Sequence, residues 1–273
     1  MGNPIVPVTQ FNDCAGSRID RAALFGRAAR VFSSLGIMPV IGIETVDSTT
    51  ELAAMLFNQL SVYAGSPAVI FGNIAKREET PGSNGEDFAV FRHGQTIVHT
   101  TFAHDTLSVL DQFGLVGNLY VLNVEQMIQW NQRMGTLDLL SETPEYHGKA
   151  SWRSKVLALP TGASIFLSPL DFFGTYRPSP KKFLIPTVKP GLVIAIDHFG
   201  NLVLGDKWEV VKGYREWFGL PVVEHIAQIE NGETAVSHLS YGHELGESHL
   251  LAAVFTKGGR ADRGGEIMIG HQL

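Results

Sequence analysis

Hydrophobic positions in the first third of the chain follow two spacings in turn. Short continuous apolar runs rich in β-branched residues predict buried strands, and apolar positions repeated every three or four residues predict amphipathic helices. The predicted order is a strand at 5–11, a helix at 19–35, a strand at 37–43, a helix at 52–63 and a strand at 68–71. Strands that alternate with helices are typical of a parallel sheet, in which ligands bind beyond the carboxyl ends of the strands.

The two predicted helices have recognisable faces and ends. Helical spacing places five apolar side chains of the first helix on one face, which we expect to be buried: Leu24, Phe25, Ala28, Val31 and Phe32. The second helix follows the capping-box sequence Ser48-Thr-Thr-Glu51, in which the serine and glutamate side chains can satisfy each other's backbone N–H groups. Both helices are therefore predicted to pack one face against a sheet.

After residue 88 the pattern changes. Residues 88–99 predict a hairpin that turns at His93-Gly94, and short helical patterns follow at 105–110, 124–133, 151–159 and 167–173. Four prolines within 176–190 predict an extended linker, and the short apolar runs beyond it are separated by glycine-rich turns. We predict an α/β domain with a mainly parallel sheet over 1–185 and a smaller, barrel-like all-β domain over 186–273.

Composition and charge limit the classes of partner that we expect for this protein. A formal charge of −6 with 18% charged residues provides no basic stripe that could follow a phosphate backbone, so nucleic acid is not an expected partner. The single cysteine, Cys14, excludes an intramolecular disulfide and favours a reducing compartment. No apolar segment approaches the ~20 residues of a membrane span, and the N-terminus lacks the pattern of a secretion signal. We expect a cytoplasmic protein that binds small molecules and makes no membrane contact.

One polar corner stands out in the C-terminal part of the chain. The apolar run 191–196 ends at Asp197-His-Phe199-Gly-Asn201, and a second apolar run follows at once, which predicts two strands joined by a tight turn. A carboxylate, an aromatic ring and a side-chain amide within five residues could hold a flat base and a charged amine. The alternative is an ordinary hairpin, in which Phe199 packs and Asn201 forms the turn.

This corner resembles the Asp-x-Phe-Gly-Asn turn of the superfamily that contains the fluorinase, the chlorinase and the S-adenosylmethionine hydroxide adenosyltransferases. The resemblance extends in order along the chain through Asp13, the stretch 104–110, the stretch 166–173, the proline-rich linker and the corner. It implies an N-terminal α/β domain, a C-terminal β-barrel, and an adenosyl ligand held between neighbouring subunits of a homotrimer.

The resemblance also implies roles for individual residues. Asp13, with Gly26 thirteen positions later as in the family, would accept hydrogen bonds from both ribose hydroxyls, which suits the two oxygens of a carboxylate. Asp13 could instead cap the following helix, and Cys14-Ala15 departs from the family's Asp-Phe-Gly signature. The remaining ligand-binding positions implied are Asp105 from the stretch 104–110, Phe199 stacked on adenine, Asn201 at the adenine edge and Asp197 at the methionine ammonium.

The water-activating residues of the hydrolytic members are only partly matched. Where those members carry Asp-Pro-Gly-Val-Gly followed by an arginine, this chain has Gly72-Asn73-Ile-Ala-Lys-Arg77. Asn73 can orient a water but cannot take its proton at neutral pH, whereas Arg77 matches the family arginine. The family histidine would fall near Thr161 or Gly162, just before a Phe166-Leu-Ser-Pro stretch that resembles the family's Phe-x-x-Pro sequence.

The resemblance leads us to expect hydrolysis of S-adenosyl-L-methionine to adenosine and methionine, or a related adenosyl transfer by displacement at the ribose C5′ carbon. No cofactor or metal is expected, since a sulfonium leaves as a neutral thioether. The alternative is a non-catalytic adenosyl-binding homologue that has lost the water-activating residues. A metal-dependent hydrolase is a third hypothesis, based on six ligand-type residues without a His-Glu-x-x-His spacing: Glu224, His225, His238, His243, Glu244 and His249.

Overall fold

Two sheets of different type organise the chain. The computed structural model describes residues 3–13, 15–74, 87–139, 150–239 and 250–273, without the side chains of 150–155 and 183. Its Cα positions divide into two compact units. The first unit contains Met1–Asp47, Gly65–Ala103 and Val116–Leu184, and the second unit contains Ser48–Ala64, His104–Leu115 and Ile185–Leu273.

The first unit is built on a six-stranded, mainly parallel sheet with the strand order β2-β1-β3-β5-β4-β6. Its strands are β1 (Ile5–Asn12), β2 (Met38–Thr45), β3 (Ala68–Asn73), β4 (Phe88–His93), β5 (Thr96–Thr101) and β6 (Tyr120–Leu122). Strands β2, β1, β3 and β5 are parallel, whereas β4 runs antiparallel to β5 and to β6. The predicted α/β class and the hairpin at 88–99 are therefore confirmed.

The described part of the first unit contains five α-helices: α1 (Arg18–Ser34), α4 (Val124–Arg133), α5 (Ala150–Leu167), α6 (Pro169–Thr175) and α7 (Lys181–Leu184). Helix α1 begins at Ser17, whose side chain accepts the Asp20 N–H and so satisfies one of the backbone donors that a helix N-terminus leaves unpaired. One core cluster joins α1 and α5 to β1 and β3, and a second joins α4, α5 and α6 to β4, β5 and β6. Helix α5 thus contributes to both cores.

The predicted buried face of α1 is correct at four of its five positions. Leu24, Ala28, Val31 and Phe32 are buried, but Phe25 is 52% exposed. Phe25 lies about 100° around the helix from Leu24, at the margin of the apolar stripe, and nearer the helix N-terminus than the buried Phe32. Helical spacing identifies which face of a helix is buried, but it does not show where along the helix the neighbouring elements stop covering that face.

The second unit contains a separate antiparallel sheet with the strand order β11-β12-β8-β7. Its elements are α2 (Thr49–Tyr63), α3 (His104–Gln112), β7 (Val193–Ile196), β8 (Leu202–Lys207), α8 (Trp208–Val211), β9 (Glu216–Trp217), β10 (Leu220–Pro221), β11 (Thr234–Leu239) and β12 (Leu251–Thr256). Strands β9 and β10 form a two-stranded sheet of their own. Among the described strands, β7 and β11 are the two edges of the larger sheet.

Helices α2 and α3 precede the proline-rich linker in sequence but belong to the second unit. They pack against each other through Phe57 and Phe113, whose ring centroids are 4.8 Å apart, and Thr106 Oγ1 donates to Thr49 O at 2.6 Å. The last segment of the second unit starts at Ile185, next to the boundary predicted from the linker. The unit is therefore assembled from three stretches of chain.

No single helix in the described part of the chain is long and apolar enough to cross a bilayer. Helices α5 and α6 reach that length and composition only when taken together, as Val156–Leu167 plus Pro169–Thr175, and they are bent by 107° at the break between them.

Glycine substitutions in α1 and α5 test the packing of the first unit. A Cβ at Gly162 in α5 would lie 2.5 Å from Phe71 Cε1, whereas a Cβ at Gly26 in α1 meets no atom within 4 Å. Gly162→Ala should lower the free energy of unfolding by about 1–3 kcal/mol through overpacking. Gly26→Ala should raise it by about 0.5–1 kcal/mol through helix propensity. Urea unfolding measures the free energy of unfolding of both variants, and an equal change in the two would contradict the packing described.

Candidate functional site

Asp13 follows directly after β1, at the carboxyl edge of the parallel strands. It is half-buried, and its backbone N–H donates to Asn73 O at 3.1 Å. Since the N-cap of α1 is Ser17, the alternative that Asp13 caps this helix is wrong. The end of β1 therefore carries a carboxylate whose position is set by the neighbouring strand β3.

Asn73 is the last residue of β3 and lies opposite Asn12 in the parallel register. Its side chain is buried, and Nδ2 donates to Asn12 Oδ1 at 3.3 Å. Asn73 Oδ1 has no hydrogen-bond partner among the described residues. The structure thus brings Asn12, Asp13 and Asn73 together at one edge of the sheet. Arg77 and Cys14 lie outside the described residues.

The Asp197 corner is a turn closed by its own side chains. Asp197 Oδ1 accepts the backbone N–H groups of Phe199 and Asn201 at 2.9 and 3.0 Å, and Oδ2 accepts Asn201 Nδ2 at 2.8 Å. Gly200 adopts φ +80°, and a Cβ there would lie 2.8 Å from Arg260 Nε. The predicted turn between two strands is confirmed, and Asn201 does form part of it.

Phe199 lies in this turn with its side chain exposed to solvent. It is 64% exposed, and its ring centroid lies 3.7 Å from that of His198. The alternative in which Phe199 packs as in an ordinary hairpin is therefore wrong. A largely open aromatic face on a turn fixed by three hydrogen bonds can accept a flat ring from a ligand.

Arg260 and Asp262 brace the corner from the loop that follows β12. Arg260 donates to both carboxylate oxygens of Asp262, at 2.9 and 2.6 Å, and the Asp262 N–H donates to Gly200 O at 3.0 Å. The hydrogen bonds from Arg260 hold the pKa of the Asp262 carboxyl below its usual value. Two carboxylates and one guanidinium, from Asp197, Asp262 and Arg260, leave these three groups with one net negative charge.

Sequence reasoning missed this brace, because the glycine-rich stretch 258–265 is typical of a hairpin turn or flexible loop. The detectable signal is the spacing of Arg260 and Asp262 two residues apart, which lets a guanidinium reach a carboxylate in a bidentate fork.

Asp105 lies in the first turn of α3 and is exposed. Thr49 Oγ1 lies 3.5 Å from its Oδ2, in donor position. Asp105 belongs to the second unit together with Asp197, Phe199 and Asn201, whereas Asp13 and Asn73 belong to the first. The predicted ligand-binding residues are thus divided between the two units.

Neither position expected near the family histidine offers an open side chain. Thr161 is fully buried, where its Oγ1 accepts from Asn131 Nδ2 and donates to Leu157 O, both at 2.6 Å. At Gly162 a Cβ would collide with the ring of Phe71. Both positions are occupied by the packing of α5.

A buried histidine does lie in the same unit, at a position that sequence reasoning missed. His99 in β5 is completely buried, and its Nδ1 lies 3.0 Å from Ala158 O. Burial lowers the pKa of His99 to about 4, partly opposed by the hydrogen bond to Ala158. His99 is therefore neutral at physiological pH. The sequence signal would have been its place directly after Ile97-Val98 in the second strand of the predicted hairpin.

The C-terminal histidines do not form a ligand cluster in the described part of the chain. The rings of His225 and His238 lie 6.4 Å apart, and His238 also lies 5.3 Å from the ring of Trp208. No group of three or more His, Cys, Asp or Glu side chains among the described residues has metal-binding proximity. His243, Glu244 and His249 lie outside the described residues.

Solved structures resemble this fold along nearly its whole length. A protein from Thermotoga maritima described as an uncharacterized conserved protein aligns with a TM-score of 0.62 and 14% identity, covering 96% of this chain and 97% of its own. A conserved hypothetical protein from Thermus thermophilus aligns with a TM-score of 0.54 and 15% identity, covering 97% of each chain. At these identities the likeness establishes the fold alone.

No protein-family model and no curated protein matches the chain. The fold and the side chains at the two candidate positions therefore define an α/β protein with an attached antiparallel sheet, a carboxylate at the end of β1 and an exposed phenyl ring at the β7–β8 turn.

The buried state of His99 predicts a pH-dependent stability. Its pKa is lowered from 6.5 to about 4 in the folded protein, so the unfolded chain binds a proton first as the pH falls. The free energy of unfolding should fall between these pH values by about 3 kcal/mol from this group and level off below the folded pKa. His99→Gln should remove that part of the slope. Urea unfolding across pH measures this variant and the wild type, and an unchanged slope in His99→Gln would contradict the assignment.

Proposed function

We propose that this protein binds an adenosyl compound, with S-adenosyl-L-methionine as the principal candidate, and that its reaction is displacement at the ribose C5′ carbon. The observation that carries the proposal is the Phe199 ring, which is 64% exposed on a turn whose backbone and side chains are held by Asp197. Stacking of a nucleobase on an exposed aromatic ring typically contributes about 1–3 kcal/mol.

Charge at the corner supports the same ligand. Asp197 and Asp262 outnumber Arg260, and Asp197 attracts the guanidinium as well. A net negative charge favours the ammonium of the methionine moiety. Asn201 Nδ2 already donates to Asp197, so its role toward adenine would be that of an acceptor through Oδ1, which suits the exocyclic amine of adenine.

The ribose end of the ligand is assigned to Asp13. A half-buried carboxylate at the carboxyl end of a parallel strand lies where α/β sheets bind ligands, and its two oxygens match a vicinal diol. The superfamily resemblance pairs Asp13 of one subunit with the Asp197 corner of its neighbour in a homotrimer, with the C-terminal sheet completed into a barrel. Asp105 is assigned to the same ligand on the resemblance alone. A cytoplasmic location is part of the same proposal.

Hydrolysis would form a bond between a water oxygen and C5′ and break the bond from C5′ to sulfur. The electron pair goes to sulfur, methionine leaves as a neutral thioether, and the proton of the attacking water passes to solvent. Departure needs no general acid, because the leaving group carries no negative charge. The charges of a cationic electrophile and a partly negative nucleophile also partly cancel in the transition state. A site that excludes water therefore favours this reaction.

A non-catalytic adenosyl-binding protein is the second candidate. Asn73 lacks the carboxylate of the hydrolytic members, and neither Thr161 nor Gly162 can present a histidine side chain to a ligand. Arg77 is the remaining residue assigned to water activation. These features favour slow hydrolysis or binding alone.

Adenosine and S-adenosylmethionine should each raise the Tm of the full chain, because a ligand that binds only the folded state stabilises it by mass action. Asp13→Ala and Phe199→Ala should each weaken binding by about 1–3 kcal/mol, through unpaired ribose hydroxyls and a lost stacking surface. Phe25→Ala removes a phenyl ring of similar exposure, 52%, and should leave the ligand-induced shift unchanged. Ligand titration in a thermal-shift assay measures binding by all three variants. Absence of a shift with every adenosyl compound would overturn the proposal.

The Asn73→Asp variant distinguishes a hydrolase from a non-catalytic adenosyl-binding protein. Wild-type release of adenosine from S-adenosylmethionine should be slow or absent, and a carboxylate at residue 73 should increase it by providing a proton acceptor. Asn123→Asp makes the same chemical change at the exposed N-cap of α4, where it should not alter the rate. Chromatographic detection of adenosine measures the rate, and rapid release by the wild type would show that the role given to Asn73 is wrong.

A further inference from the structure

A small cleft lies in the first unit where α1 and α5 cover β1 and β3. Its volume is about 60 Å³, and Phe71 and Leu159 contribute to its apolar walls. Four polar side chains also line it: Gln10, Asn12, Arg27 and Asn73. A volume of this size holds about two water molecules or one small polar group.

The strand register explains why polar groups meet at this place. Val6, Val8, Gln10 and Asn12 alternate onto one face of β1, and Val69, Phe71 and Asn73 onto the same face of β3. Gln10 pairs with Phe71 in the register, and Asn12 pairs with Asn73. The covered face is therefore apolar along most of its length and becomes polar toward the carboxyl ends of the strands.

Two of the side chains that line this cleft each have one buried atom without a hydrogen-bond partner among the described residues. Gln10 is 3% exposed and its Nε2 makes no hydrogen bond, and Asn73 is 7% exposed and its Oδ1 accepts none. Burying an amide donor and an amide acceptor without partners costs stability, so a purely structural position would favour apolar residues. One atom can only donate and the other can only accept.

The charge of the lining restricts what can enter. No carboxylate lines the cleft among the described residues, and the one charged group there is the Arg27 guanidinium. A cation entering the cleft would find neutral amides and no carboxylate among the described lining residues, and an anion could accept from Gln10 Nε2 but would face the lone pairs of Asn73 Oδ1. A neutral group would find a donor and an acceptor in an apolar surround, where hydrogen bonds are strengthened by the low local dielectric.

We propose that this cleft binds a small uncharged polar group of a ligand, a hydroxyl or a primary carboxamide, which accepts a hydrogen bond from Gln10 Nε2 and donates one to Asn73 Oδ1. Both chemistries supply an acceptor and a donor within the volume available. Asn73 also belongs to the proposed adenosyl site, whereas Gln10 has no role there, and the inference rests on the unpartnered amide atoms of the cleft rather than on adenosyl binding.

Four probes of similar size test the proposal in solution with the full chain: acetamide, ethylene glycol, acetate and acetamidinium. Saturation-transfer NMR titrations should show saturable binding of acetamide or ethylene glycol, whichever of the two chemistries the cleft selects, and none of acetamidinium. Acetate, which can accept from Gln10 but cannot donate to Asn73, should bind more weakly than the better neutral probe. Equal binding of acetamide and acetamidinium would overturn the proposal.

Gln10→Met keeps the length of the side chain and removes the donor. It should weaken binding of the neutral probe by about tenfold, the usual effect of one lost hydrogen bond. Its Tm should not fall below that of the wild type, since an unpartnered buried amide is replaced by an apolar chain. Gln95→Met, at an exposed residue of the β4–β5 turn, is the matched control and should bind as the wild type does. Unchanged probe binding in Gln10→Met would overturn the assignment.

Asn73→Asp should reverse the charge preference, so that acetamidinium gains affinity at the expense of the neutral probe. Failure of both neutral probes to bind the wild type would mean that the two amides are bridged by water alone, and the proposal would be wrong. Because the probes carry no adenosyl group, that outcome would leave the adenosyl proposal standing, and a failed adenosyl titration would leave this one standing.

Discussion

The candidate site depends most on the hydrogen bonds that the Asp197 carboxylate accepts. This carboxylate accepts three hydrogen bonds from its own turn, and the turn joins β7 to β8, which lies between β7 and β12 in the second sheet. With these donors satisfied, the chain can reverse within five residues without burying Phe199. The Arg260–Asp262 pair then holds the other side of Gly200, so the turn that carries the exposed ring is hydrogen-bonded on both sides.

A different constraint governs the first unit. Helix α5 packs so closely on β3 and β5 that Gly162 has no room for a Cβ, and Thr161 is committed to Asn131 and Leu157. The two positions at which the superfamily resemblance led us to expect a histidine are thus occupied by the packing of α5. Among the described residues at the carboxyl ends of β1 and β3 are the carboxylate of Asp13 and the neutral amides of Gln10, Asn12 and Asn73. That set can orient hydroxyl groups and water, but its amides cannot accept a proton from them at neutral pH.

Local pattern predicted much of this fold because local physics decides it. The alternation of strands and helices through β3, the hairpin of β4 and β5 and the turn at Asp197 all follow from spacing and turn chemistry among neighbours in sequence. Membership of α2 and α3 in the second unit follows from packing between distant segments, which no local spacing records. The exposure of Phe25, the burial of His99 and the contact of Asp262 with Gly200 have the same origin. For the candidate site, sequence proposed Asp13, Asn73 and the corner, and the hydrogen-bond partners that limit what each can do came only from the structure.

The central claim is that Phe199 and Asp13 bind the two ends of an adenosyl ligand. A crystal structure of the full chain grown with adenosine tests it most directly. The account predicts the adenine ring stacked on Phe199 with Asn201 Oδ1 near its exocyclic amine, and both ribose hydroxyls within hydrogen-bond distance of an Asp13 carboxylate. Adenosine bound elsewhere, or a Phe199 ring covered by a neighbouring subunit so that no base can reach it, would contradict the account.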